Sequence, residues 1–251
     1  MPNPIKLKAT VDSVISLGEG VYMVVMKPEG RAPRFKAGQF LHLTVDDYDP
    51  AGGFWPESRV FSIASPPGGE KVAIVYSVKG MYTKKMESTL KPGMSVWLKL
   101  PYGEFVINSS IREGQDVVLV AGGTGVSPFI PYLESLCVGD GTNTHGKIAL
   151  HYGARLRSYI LFPELIERCV GSIENFRACI SIENEPPEGL SIAGARMESG
   201  RLSIDTIYAQ TRDMNDPVFF LSGPPVMIRF FKDLLADKGV ARDNIKIDEW
   251  E

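Results

Sequence analysis

The chain has 251 residues, a length that predicts two domains at roughly 150 residues each. Its 27 Lys and Arg are interspersed with 30 Asp and Glu for a net charge of −3, which excludes the basic field that dominates nucleic-acid binding. At 44% hydrophobic it is not disordered, yet its longest apolar runs, such as Val21 to Met26 and Val117 to Ala121, fall far short of the roughly 18 residues of a membrane span.

The N-terminal Met-Pro-Asn-Pro-Ile-Lys-Leu-Lys has neither the apolar centre of a secretory signal nor a transit-peptide pattern, so a cytoplasmic location is expected. Cys137, Cys169 and Cys179 match no disulfide framework, zinc spacing or iron–sulfur pattern, and they read as buried free thiols. No metal site is expected. His42, His145 and His151 share no ligand spacing and are assigned no chemistry.

From residue 5 to about 108 the pattern is short, alternating or β-branched runs broken by Gly and Pro: Lys8 to Ser16, Gly20 to Pro28, Gln39 to Asp46, Arg59 to Ser65, Lys71 to Lys79 and Ser95 to Leu100. Turn residues at Lys36-Ala37-Gly38, Pro67-Gly68-Gly69 and Lys91-Pro92-Gly93 separate them, and one short helix is expected over Thr83 to Leu90. This predicts an antiparallel β-barrel.

After Gly114 strands alternate with helices. Strands are expected at Val117 to Ala121, Lys147 to Tyr152, Phe176 to Ile182, Val218 to Leu221 and Ile245 to Asp248. Helices are expected from Ser127, capped by that serine with Pro128 at the first position, within Ser158 to Cys169, near Ser203 to Gln210, and from Val226 to Lys238. Met227, Phe230, Phe231, Leu234 and Leu235 form the core stripe of the last helix. Apolar strands alternating with helices predict a doubly wound parallel sheet, and the domains are expected at 1–110 and 111–251.

Three constellations suggest chemistry. Gly122-Gly123-Thr124-Gly125-Val126-Ser127-Pro128 follows a buried strand and opens a helix, so its backbone can approach a pyrophosphate; lacking the Lys-Ser/Thr pair, it is not a P-loop. Gly80-Met81-Tyr82-Thr83 is a second strand-to-helix turn, suited either to a phosphate or to simple capping by Thr83. In Arg59-Val60-Phe61-Ser62 the period of two places a guanidinium and an aromatic ring on one face, beside the small donor Ser62.

In this order and spacing the chain resembles the ferredoxin:NADP reductase-like flavoproteins over nearly its whole length. Arg59 to Ser62 resembles the family's Arg-x-Tyr-Ser flavin motif and Gly80 to Thr83 its flavin-pyrophosphate segment. Leu100-Pro101-Tyr102-Gly103-Glu104-Phe105 resembles the segment closing the barrel, Gly122 to Pro128 the nicotinamide-dinucleotide turn, and Tyr152-Gly153-Ala154-Arg155 the second nucleotide turn. Ser222-Gly223-Pro224-Pro225 with Met227 resembles the Cys-Gly-Pro turn, and Asp248-Glu249-Trp250 the terminal acid and aromatic.

The resemblance implies FAD, with FMN as the lesser alternative, held by Arg59, Val60, Phe61, Ser62, Tyr76, Val78, Gly80, Met81, Tyr82 and Thr83. It implies NADH or NADPH at Gly123, Thr124, Gly125, Val126, Gly153, Arg155, Glu183, Gly223, Pro224 and Met227. Ser62, Ser222, Asp248 and Trp250 are the catalytic candidates, with Trp250 also covering the flavin. Phe61 and Ser222 stand where the family carries Tyr and Cys, and Glu251 extends past the aromatic. Glu183, just after a strand, would accept from ribose hydroxyls and repel a 2′-phosphate, which favours NADH unless Arg155 or Arg196 reverses the balance.

The implied function is hydride transfer from NAD(P)H to FAD, then electron transfer to a separate iron–sulfur or haem protein. A free-flavin reductase and a non-catalytic redox-sensing or electron-relay subunit are the alternatives.

Overall fold

A computed structural model describes residues 3–30, 33–138, 146–187 and 189–248. The chain divides into two compact units, Met1–Val106 and Ile107–Glu251. Glu249, Trp250 and Glu251 lie outside the described residues, and with them the proposed aromatic cover.

The first unit is a nearly closed antiparallel barrel of six strands: β1 (Ile5–Gly18), β2 (Val21–Pro28), β3 (Phe40–Thr44), β4 (Arg59–Ser62), β5 (Val72–Ser77) and β6 (Ser95–Tyr102). Their order is β4-β3-β6-β1-β2-β5, and the outer strands approach through the Ile63 to Ile74 bridge, where Ala64 N–H donates to the Ala73 carbonyl at 2.8 Å. Alternate residues face inward, as Leu7, Ala9 and Val11 of β1 show, and they pack on Val24, Met26, Leu41, Leu43, Ile74 and Leu98. Helix α1 (Met81–Thr89) contributes Tyr82 and Met86 to this core.

The second unit opens with the single turn α2 (Ile107–Ser110). Its parallel sheet comprises β7 (Val117–Gly122), β8 (Ile148–Ala154), β9 (Phe176–Ile182), β10 (Arg196–Ser199), β11 (Val218–Ser222) and β12 (Ile245–Asp248) in the order β10-β9-β8-β7-β11-β12. Every residue of β7 and β11 is buried, as expected of central strands covered on both faces. The helices are α3 (Ile130–Val138), α4 (Pro163–Ser172), α5 (Ile204–Ala209) and α6 (Pro225–Asp237). The chain enters at β7, builds outward through β8, β9 and β10, then returns to β11 on the other side of β7. That reversal puts a topological switch point between β7 and β11, the place where open α/β sheets hold ligands at their carboxyl ends.

The structure corrects several expectations. The segment after β7 is a 3₁₀ turn over Gly123–Phe129, and the α-helix begins only at Ile130. Ser127 therefore caps nothing; its hydroxyl donates to the Thr124 carbonyl at 2.7 Å. On α6, Phe230 is 58% exposed, and Ile228 joins Phe231 and Leu235 in the core instead. Strand β10 was not foreseen: its charged, half-exposed Arg196-Met197-Glu198-Ser199 carries no apolar pattern and is ordered by pairing with β9. Cys169 and Cys179 are buried, but Cys137 is partly exposed.

Candidate functional site

In the barrel, Arg59 is the exposed first residue of β4. Its guanidinium lies 4.6 Å from the centre of the Tyr82 ring and pairs with Glu57 at 2.7 Å. An exposed pair of this kind contributes about 0–1 kcal/mol, so a phosphate can displace the carboxylate at small cost. Phe61, two residues on, is half-buried against the barrel core and meets Tyr76 at 6.2 Å in an edge-on contact. Val60 is partly exposed, and Ser62 is buried opposite Phe40.

The turn after β5 is built locally. Thr83 Oγ1 accepts from Lys79 N–H at 2.9 Å and from Gly80 N–H at 3.1 Å, so this hydroxyl fastens the start of α1. The backbone N–H groups of Met81, Tyr82 and Thr83, at the first helical positions, have no acceptor within the helix by its geometry. Tyr82 is a buried structural residue: its hydroxyl accepts from Val45 N–H and donates to the Glu57 carbonyl at 3.0 Å. Met81 is 90% exposed, whereas Val78 packs on the core.

Two observations fit a flavin nucleotide here. A side chain at Gly80 would meet nothing within 4 Å, and with φ −137° the backbone imposes no need for glycine, so the position stands open to a close-approaching group. The Tyr76 hydroxyl is buried without a hydrogen-bond partner among the described residues, and burial pushes its pKa up to about 12.

In the second unit the switch point brings the sequence-predicted turns together. A Cβ on Gly125 would lie 2.4 Å from the Ser222 carbonyl oxygen and 2.6 Å from Gly223 Cα. Gly122 and Gly223 are equally confined, with Met227 Sδ and Cε at 2.9 and 2.8 Å from the Cβ each would carry. These glycines, with Pro224 as the residue preceding α6, let the turn after β7 nest on the turn after β11. Gly123 differs: its φ of +55° favours glycine, yet nothing lies within 4 Å of a side chain there. Its open backbone fits a pyrophosphate, and the adjacent Thr124 is partly exposed while Val126 is core. Gly153 is confined by Leu202, 2.6 Å from its hypothetical Cβ.

Ser222 and Asp248 end the neighbouring strands β11 and β12 in register, and the Ser222 hydroxyl donates to Asp248 Oδ2 at 2.9 Å. Glu183 lies just past β9, its N–H bonded to the Ala154 carbonyl. Its carboxylate takes two contacts from Arg201, Nε at 2.7 Å and Nη2 at 2.6 Å. Arg201 was missed by the sequence reading. It arrives because β10 pairs with β9 and returns the chain to that strand's end, where Gly200 N–H reaches the Ile182 carbonyl at 2.7 Å. Arg155 is exposed, and Arg196 is paired with Glu198 at 2.9 Å.

Residues 119–233 match the family model of the oxidoreductase NAD-binding domain. The chain is 26% identical over 223 residues to reductase component 1 of terephthalate 1,2-dioxygenase from Comamonas sp, covering 88% of this chain and 61% of that one. It is 28% identical over 223 residues to the reductase component of propane 2-monooxygenase from Rhodococcus jostii (strain RHA1), covering 86% and 55%. The chain thus spans little more than half the length of these relatives. Among solved structures, the Amycolatopsis cytochrome P450 reductase GcoB superposes with a TM-score of 0.82 at 19% identity, over 98% of this chain and 70% of that one. A ferredoxin NADP⁺ reductase from Neisseria gonorrhoeae, with bound FAD and NADP, gives 0.75 at 16% identity over 99% of both chains. The chain thus shares the fold of that ferredoxin NADP⁺ reductase, a barrel followed by a parallel sheet, and its second unit carries the match to the oxidoreductase NAD-binding domain.

Proposed function

We propose that the chain is an NADH-dependent flavoprotein oxidoreductase that passes electrons from bound FAD to a separate iron–sulfur or haem protein. The observation that carries this reading is the nested pair of turns at the switch point, with Gly123 left open at its face. The relatives named as reductase components of a dioxygenase and a monooxygenase support a separate acceptor, and the FAD-bound structural neighbour supports the flavin.

When bound, FAD supplies two-electron acceptance from a nicotinamide and release of single electrons. The barrel's part is to hold it: Arg59 neutralises a phosphate, Phe61 offers a ring face beside Tyr76 and Val78, and Gly80 to Thr83 present backbone at the start of α1, with Ser62 as the neighbouring donor. In the second unit Gly123 to Val126 receive the pyrophosphate of NADH. Gly153, Arg155 and Glu183 line the adenosine side, and Gly223, Pro224 and Met227 shape the nicotinamide side. Asp248 fixes the Ser222 hydroxyl proton toward itself, leaving the serine oxygen to accept. Glu183 favours NADH over NADPH because its carboxylate opposes a 2′-phosphate. The cytoplasm, where NADH is held, is the proposed location.

The test is to purify the chain without added cofactor, record its visible spectrum and add NADH or NADPH anaerobically. The expected result is a flavin band that NADH bleaches faster than NADPH, followed by recovery of colour when ferricyanide is added. NADH turnover only with supplied flavin would replace this reading with a free-flavin reductase. A flavin band that neither nucleotide bleaches would replace it with a relay subunit.

A further inference from the structure

Helices α3 and α4 pack together in the second unit, and two of the three cysteines meet across them. Cys137 Sγ and Cys169 Sγ stand 3.1 Å apart, both as free thiols. Their environments differ. Cys137 is partly exposed, hydrogen-bonded with the Arg168 guanidinium, and has the Ser172 hydroxyl 4.0 Å from its sulfur. Cys169 is fully buried, its sulfur 3.6 Å from the Leu133 carbonyl. Burial pushes the Cys169 thiol well above the usual range, and the half-buried Glu134 carboxyl nearby is also raised by desolvation. A partly exposed sulfur beside a guanidinium, with a second sulfur in contact behind it, is the arrangement of an attacking and a resolving thiol. Cys179 has no such neighbour among the described residues: it lies buried on β9, against Glu198.

We propose that Cys137 and Cys169 form a redox-active dithiol that a hydroperoxide converts into an intramolecular disulfide, bracing α3 on α4. The Cys137 thiolate attacks the peroxide, breaking the O–O bond; its sulfur becomes a sulfenic acid and the departing oxygen takes a proton as water or alcohol. The Cys169 sulfur then attacks Cys137, forming the S–S bond and expelling the sulfenic oxygen as water with the Cys169 proton. Two electrons leave the pair of sulfurs and reduce one peroxide, and a small dithiol reverses the change. The sulfurs need close by only about 1 Å to reach the roughly 2.05 Å of a disulfide. Because α3 continues directly from the 3₁₀ turn Gly123–Phe129, the bond ties the helix behind that turn to α4. The inference stands on this geometry and is independent of which cofactor the chain binds.

The experiment treats the full chain with a small excess of hydrogen peroxide, removes the peroxide, unfolds the chain in guanidinium chloride with N-ethylmaleimide to block every remaining thiol, and maps the unreduced digest by mass spectrometry. The expected product is a Cys137–Cys169 peptide pair lighter by two hydrogens, with one alkylated cysteine, Cys179, in place of three. Dithiothreitol restores all three, Cys179→Ser leaves the cross-link intact and Cys137→Ser abolishes it. Three alkylated cysteines after peroxide, a sulfinic acid at Cys137 beside an alkylated Cys169, or a bond to Cys179 would each overturn the proposal. The wild-type digest alone decides, whether or not a variant folds.

Discussion

The Ser222 hydroxyl donates to Asp248 Oδ2 across 2.9 Å, with both residues less than 5% exposed, at the paired carboxyl ends of β11 and β12. Removing one partner of a buried hydrogen bond leaves the other to bear its desolvation, at a cost of roughly 1–3 kcal/mol. Ser222→Ala is therefore expected to lower unfolding free energy by about 2 kcal/mol in urea titration. The same variant is expected to slow flavin bleaching by NADH without changing how much flavin the chain retains, since Ser222 lies in the nucleotide unit. Unchanged stability together with unchanged bleaching would remove Ser222 from both roles.

The glycines separate into those confined by the chain's own atoms and those whose surroundings are open. Gly125→Ala forces a methyl to 2.4 Å from a backbone oxygen, an overlap relieved only by moving one of the two turns, so thermal unfolding is expected several degrees below wild type. Gly80→Ala meets no protein atom and takes an ordinary φ, so its melting without flavin should match wild type within about 0.5 kcal/mol. Its flavin content after gel filtration should nevertheless fall. Full flavin retention in Gly80→Ala would show that nothing approaches that backbone.

The parallel sheet was legible because its central strands, such as β7 and β11, are short runs buried on both faces, and β9 and β12 begin and end where the sequence placed them. The barrel followed from alternation and turn residues. What stayed hidden depended on tertiary pairing. Strand β10 has no periodic signal of its own, so the return of Arg201 to Glu183 could not be read from a spacing of 18 residues. The meeting of Cys137 and Cys169 depends likewise on the packing of α3 on α4, which a spacing of 32 does not encode. The glycine turn was legible as a strand-to-helix turn with open backbone, but not that Gly125 answers to the Ser222 backbone. Phe230 was misplaced because an apolar stripe on a helix is wider than the face it buries.

The Glu183–Arg201 pair bears on the choice of donor. Arg201 is held by the carboxylate but is itself 81% exposed at its side chain, so it can swing while Glu183, at 24%, stays near the end of β9. Glu183→Gln removes the negative charge and releases the guanidinium together. The expected result is a rise of about tenfold in kcat/KM for NADPH, equivalent to about 1.4 kcal/mol, with a smaller change for NADH. Arg201→Ala in the same background should cancel most of that gain. Equal responses of both nucleotides to Glu183→Gln would place the ribose elsewhere.

His151 makes the last case, one of stability and not of catalysis. It lies on the central strand β8, 3% exposed, with Nε2 lacking a partner among the described residues. Burial, aided by the Arg177 charge, depresses its pKa to about 4 from the ordinary 6.5. The folded chain thus keeps the imidazole neutral where the unfolded chain binds a proton. The stability this confers is complete above pH 6.5 and is lost progressively as pH falls toward 4, by about 3 kcal/mol across the window. Asp213, held well below the usual carboxylate range by Lys147 and Arg177, contributes its own loss only at lower pH, as the solution falls below the ordinary value of 3.8. The two windows can therefore be separated by urea titrations at pH 7.5, 6, 5 and 4 on wild type and His151→Leu. Leucine has a similar volume and takes up no proton, so its stability should be flatter over this range. Parallel curves for the two proteins would show that His151 is protonated in the folded chain as readily as in the unfolded one.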